Sequence, residues 1–206
     1  MWLDGLVEVA SHNGDAFLWD AVGELVGKWC DHVLAANIER WNTRSIGWGL
    51  LFSARAHSVR PSAVTSEVIH RLLDRVESAP GGDLILLEMP DPDRGVTIVP
   101  VWVAAGILTA GIEACLAVEP RPRLLDRVGR LLQVLVREAW NAKEKELSDA
   151  LIVDSASGAV RRGSGRSTGE EMLFFAYGCR AFGTGDPAIL GVGSEMATAA
   201  AGTLRI

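Results

Sequence analysis

Apolar residues return along most of this chain at helical spacing, interrupted by short polar breaks. The clearest stretch is 16–35, where Phe17/Leu18, Ala21/Val22, Leu25/Val26, Trp29/Cys30 and Val33/Leu34 fall on one stripe. That is the period of a helix with one buried face. Asp20, Glu24, Lys28 and Asp31 occupy the opposite face, with Glu24 and Lys28 one turn apart, a spacing that lets them pair. Val64, Val68, Ile69, Leu72, Leu73 and Val76 make a second stripe after Pro61. Leu124, Leu125, Val128, Leu131, Leu132, Leu135 and Val136 make a third over 123–140. Residues 2–11 and 46–57 predict shorter helices, and two more run from Ser167 to Phe182 and from Asp186 to about Ala201.

The breaks carry helix-start chemistry. Asn13-Gly14-Asp15 and Thr184-Gly185-Asp186 each end one apolar stretch and open another. Asp15 and Asp186 suit N-caps, and Pro187 suits the first helical turn. Ser167 with Glu170, and Thr168 with Glu171, both have capping-box spacing. Two segments depart from the pattern. In 83–99, Leu84 to Leu87 reads as a short strand or extended piece, and Pro90 to Gly95 as a turn. The apolar run Val96 to Val118, interrupted by Pro100, Gly106, Gly111 and Glu113, reads as a buried helix with Pro100 in its first turn rather than as a membrane span. In 141–166, Leu151-Ile152-Val153 reads as a short strand within a long connection.

The sum is seven or eight helices in four pairs, whose first helices start near Gly5, Gly49, Gly106 and Leu173, at intervals of 44, 57 and 67 residues. The intervals grow where 83–99 and 141–166 are inserted. A helical hairpin cannot bury its apolar face alone, so the pairs must stack. The predicted fold is all-α, one domain over 1–206, with four hairpins side by side.

Composition narrows the function. Of 206 residues, 49% are hydrophobic and 22% charged, a balance that supports a folded core rather than disorder. A net charge of −6 argues against nucleic acid as a partner. Cys30, Cys115 and Cys179 have no close spacing and read as buried free thiols. No basic segment followed by an apolar run opens the chain. With no disulfide framework expected, a cytoplasmic location is the expectation. His12, His32, His57 and His70 lack metal-ligand spacing, so neither metal nor cofactor is expected. The glycine-rich stretch Gly163 to Gly169, near Arg161, Arg162 and Arg166, invites an anion-binding reading, but lacks the phosphate-loop spacing and lysine. Gly165-Arg166-Ser167-Thr168-Gly169 matches a nucleophile-elbow pattern without the preceding strand or a following histidine that such an elbow needs.

Three passages resemble the six-hairpin (α/α) toroid families of carbohydrate-active proteins, which include glycosidases and polysaccharide lyases. Trp41-Asn42-Thr43-Arg44-Ser45-Ile46-Gly47-Trp48 before an apolar helix is similar to their Asn-Thr-Arg loop feeding an inner helix. Val99-Pro100-Val101-Trp102 is similar to their Pro-Trp helix start, and Thr184-Gly185-Asp186 to their hairpin break. The resemblance implies an incomplete (α/α) toroid or arc, since a full ring has twelve helices. It also implies a saccharide ligand, and leaves three readings of the short ring: a fragment, a reduced arc, or an arc that a second copy or partner chain completes. Arg44 would pair with a uronic carboxylate, which a guanidinium binds with two parallel hydrogen bonds. Trp41, Trp48 and Trp102 offer ring faces for sugars. Glycoside hydrolysis needs two carboxylates and elimination needs a base. The candidates are Glu170, His57 and Tyr177, the sole tyrosine, seven residues after Glu170 and on its helix face. The rival reading is a non-catalytic helical scaffold or assembly subunit, with exposed apolar ends that bind copies of itself.

Overall fold

Polar caps set where the helices begin. In the computed structural model, which describes residues 2–183 and 185–203, Asp15 accepts from the Phe17 and Leu18 amides and opens α2 (Ala16–Ala35) behind α1 (Trp2–Asn13). Asn42 accepts from the Ser45 amide and opens α3 (Thr43–Val59). Ser62 and Thr65 form a reciprocal box at α4 (Ala63–Glu77), and Pro122 starts α6 (Pro122–Ala139). Thr168 and Glu171 box the start of α7 (Gly169–Phe182), and the Asp186 carboxylate accepts from the Ala188 amide at α8 (Pro187–Thr203). These caps satisfy amides that a first turn otherwise leaves unpaired. Thr184 of the expected Thr184-Gly185-Asp186 break lies outside the described residues.

The first helices of the second, third and fourth pairs lie side by side. Val103–Leu108 is a π-helical turn that continues into α5 (Thr109–Leu116); this element packs against α3 on one side and α7 on the other. Glycine makes that approach possible. A Cβ on Gly111 would stand 2.5 Å from the Gly47 carbonyl oxygen, and one on Gly47 2.9 Å from the Leu108 amide nitrogen. On the other side, a Cβ on Gly106 would stand 2.6 Å from the Phe174 Cβ, and one on Gly178 1.8 Å from the Ala105 carbonyl oxygen. Thr109 Oγ1 donates within the π turn, to Ala105 at 2.5 Å or Gly106 at 3.0 Å. Its hydroxyl thus occupies carbonyls that the widened turn leaves short of partners.

Of the second helices, α4 packs on α3 and α8 on α7. α6 contributes the cleanest stripe, with Leu124, Val128, Leu131, Leu132 and Leu135 fully buried, each side chain worth roughly 2 kcal/mol in water excluded. A continuous core cluster extends from Leu3 on α1 to Ala200 on α8.

Several expectations need correction. The described residues are mostly helical, 67%, with eight helices, but the fold is not all-α. β1 (Val96–Pro100) pairs antiparallel with β4 (Ala150–Asp154), which pairs with β5 (Val160–Arg162); β2 (Trp140–Asn141) and β3 (Glu146–Leu147) make a second small ladder. The two inserted segments that lengthened the repeat therefore fold onto one another. Val96–Pro100 is strand rather than helix, and helix begins only at Val101. The Leu84 to Leu87 stretch is not strand: Gly82–Leu84 is a 3-10 turn, followed by Ile85 at φ 49°. The pairing into hairpins is also looser than expected. α1/α2, α3/α4 and α7/α8 pack as neighbours, whereas α6 meets mainly the Gly82–Leu84 turn, α7, α8 and the sheet, and reaches its expected partner chiefly at the Val103–Leu108 turn. Among the described residues, no helix is long and apolar enough to cross a membrane.

Candidate functional site

Arg44 and Trp48 sit on α3 rather than in a loop, because Asn42 caps the helix just before them. Arg44 lies exposed with its guanidinium carbon 5.1 Å from the centre of the Trp102 ring, within cation–π range. Trp102 in turn meets Phe174 of α7, ring centres 5.8 Å apart and tilted by 44°. Phe174, with Leu173, Tyr177, Glu170 and Ala110, lines an open cavity of about 450 Å³ between α5 and α7. Tyr177 donates to the Glu113 carboxylate at 2.5 Å, back across to α5. One face of three adjacent helices thus joins Arg44, Trp102, Phe174, Glu170, Tyr177 and Glu113. Trp48 stands one turn beyond Arg44 and is half-buried.

The other candidates lie elsewhere. His57 is thirteen residues after Arg44 on the same helix, roughly 20 Å along its axis. Its Nδ1 shares a 2.9 Å hydrogen bond with Thr65 Oγ1, inside the cap of α4. Trp41 is part of the core wall: its ring packs against Trp29 and His32, and Trp29 donates to Ser53 Oγ. Only one of the two capping boxes forms, through Glu171, and this leaves Glu170 free to line the cavity. Glu113 was not singled out from sequence, although a lone carboxylate inside an apolar helix was the available signal.

The glycine-rich stretch does different work. Arg162 donates to the Glu138 and Trp140 carbonyls, and Arg166 pairs with Glu146. Two of the three arginines expected for an anion are therefore committed to the fold. Ser167 is buried, with its amide on the Leu147 carbonyl and its hydroxyl donating to the Ser148 carbonyl, so no nucleophile is presented. Burial raises all three thiols, Cys115 and Cys179 to about 12, which keeps them out of nucleophilic chemistry at neutral pH. Among the described residues, no three His, Cys, Asp or Glu side chains converge as a metal site.

Compared with known proteins, the chain matches no family model, no curated protein and no solved structure. The chemistry of the face therefore carries the functional reading.

The phenol of Tyr177 is pushed up to about 12, first by its hydrogen bond to Glu113, then by burial and the nearby charge. The fold favours the protonated phenol. Its contribution to stability is present below the unfolded value of about 10 and is lost as pH rises through about 12. Because the chain has a single tyrosine, phenolate absorbance reads this group alone. The native protein should titrate near pH 12 and the urea-unfolded chain near 10. A native midpoint at 10 would show that the bond to Glu113 does not hold in solution.

Proposed function

We propose that the face shared by α3, α5 and α7 is the inner side of an (α/α) toroid-like arc and binds an acidic oligosaccharide. The supporting observation is the Arg44–Trp102 pair. Arg44 is exposed, is held over an aromatic ring, and has no carboxylate partner among the described residues. A cation already oriented by a ring loses little freedom when it takes up a carboxylate with two parallel hydrogen bonds. Trp102 and Trp48 give half-buried indole surface beside it for the apolar face of a sugar ring.

The reading is one of binding rather than cleavage. A phenol that holds its proton to about pH 12 is poorly matched to act as a base at neutral pH. His57 is committed to the α4 cap. Glu170 and Glu113 remain as carboxylates on the face, and both are exposed.

Titration calorimetry with uronic-acid oligomers tests this. Arg44→Ala should weaken binding by roughly 100-fold, about the 2–3 kcal/mol of a charge-assisted contact. Arg44→Lys should recover little, because an ammonium cannot offer the planar fork. Neutral oligomers should bind weakly to both. Equal affinity of wild type and Arg44→Ala for the acidic oligomer would remove the proposal. A second reading, assembly with another chain, is favoured by a separate observation: Leu173, Phe174 and Tyr177 are 40%, 43% and 46% exposed on α7.

A further inference from the structure

We propose that α7 is the seam of a two-fold dimer of this chain, its exposed face packing antiparallel on the same face of a second copy. The inference rests on the assembly reading, which it deepens by naming the partner, and does not depend on the saccharide one.

The face is continuous. Glu170, Leu173, Phe174, Tyr177 and Arg180 are all exposed and recur at the spacing of one helix stripe, while Met172, Phe175, Gly178 and Cys179 point into the core. A helix with a buried stripe normally turns charged residues outward. Here three large apolar side chains lie outward between one acid and one base. That is the composition of an interface centre with a polar rim.

The charges say what covers it. Glu170 opens the helix and Arg180 closes it, and neither has an ion-pair partner among the described residues. When the helix is laid antiparallel on a copy of itself about position 175, Glu170 meets Arg180 of the second copy, and Arg180 meets its Glu170. In the same register, Leu173 meets Tyr177 of the second copy, and the converse. Both exposed charges of the α7 stripe thus find their opposites through a single two-fold operation, the property an isologous interface requires. A parallel pairing would set Glu170 against Glu170 and Arg180 against Arg180.

The relief suits the same occupant. The α7 ridge is flanked by the cavity beside Ala110 on one side. On the other lies an open groove of about 590 Å³, bordered by α8 at Leu190, Gly193, Ser194 and Ala197. A ridge between two grooves lets a second ridge seat beside it. The ridge is also fixed in place, since Phe174 leans on Trp102 and Tyr177 is tied to Glu113. Exposed ion pairs contribute little affinity. Leu173, Phe174 and Tyr177 would supply the binding, and the charges the register.

The test is the mass in solution, by sedimentation equilibrium of the full chain. Wild type should weigh twice 22.1 kDa at tens of micromolar. Glu170→Arg and Arg180→Glu should each weaken self-association roughly 100-fold, because each sets two like charges opposite one another. An equimolar mixture of the two variants should recover the dimer, since each then meets its opposite. That recovery separates lost register from lost folding. A monomeric wild type, a dimer untouched by either reversal, or a mixture that stays monomeric would overturn the proposal. Arg44→Ala should leave the mass unchanged, so failure of the saccharide reading leaves this result readable.

Discussion

Gly178→Ala should lower stability by about 3 kcal/mol, the upper range for forcing atoms into a packed core, although alanine is the better helix former by about 1 kcal/mol. The reason is the nature of the obstacle. The new Cβ would stand 1.8 Å from the Ala105 carbonyl oxygen and 3.0 Å from Thr109 Oγ1. A side chain can rotate away, but a carbonyl inside a π-helical turn cannot. That carbonyl also accepts from the Thr109 hydroxyl. Either α7 withdraws from α5, opening the contacts around Phe175 and Cys179, or the π turn is rewound. Gly27→Ala on α2 is the control: nothing lies within 4 Å of its Cβ, so it should stabilise by about 0.5–1 kcal/mol. Urea denaturation of both variants checks the pair. A Gly178→Ala protein as stable as wild type would mean that the helices do not approach as closely as described.

These glycines mark where the sequence was and was not legible. Gly106 and Gly111 interrupt the apolar run from Val96 to Val118. From sequence they read as weak points in a helix, whereas in the fold they are its contact points with α3 and α7. Residue type shows that a position lacks a Cβ but not which backbone arrives there. The stripes of α2, α4 and α6 were legible because each has one buried and one solvated face. The strand Val96–Pro100 was not, because it continues without a polar break into a buried helix, and periodicity cannot separate two buried elements in one apolar run. Its partner, β4, arrives from an insertion some fifty residues away, which no local pattern announces. Of the face residues, Arg44, Trp102, Glu170 and Tyr177 were named from residue type and the toroid resemblance. Phe174 and Glu113 were not; the contact of Glu113 exists only through Tyr177 on another helix.

Arg127→Met should cost about 2–3 kcal/mol, a large effect for a half-buried residue on a helix flank, and Arg127→Lys should restore less than half of it. The guanidinium of Arg127 donates to four backbone carbonyls at once: Val76 and Glu77 at the end of α4, and Ala79 and Gly82 beyond it. Val76 and Glu77 belong to the last turn of α4, whose carbonyls lack the ordinary intrahelical partners. Ala79 and Gly82 belong to the turn that follows, in which Gly81, Gly82 and Ile85 all have positive φ, and non-glycine residues enter that region only at a cost. The arginine therefore does two things. It closes the α4 terminus with charge-assisted bonds, and it holds a strained turn against α6 so that Leu84, Ile85 and Leu87 reach the core. Methionine keeps the aliphatic stem and removes every donor. Lysine keeps the charge but cannot span four acceptors that lie around a planar fork. Amide hydrogen exchange should show the loss first at residues 79–87, with α6 itself still protected, because its own stripe is buried independently. If protection in 79–87 stayed at wild-type level while global stability fell, the arginine would be acting through α6 packing and not through the turn.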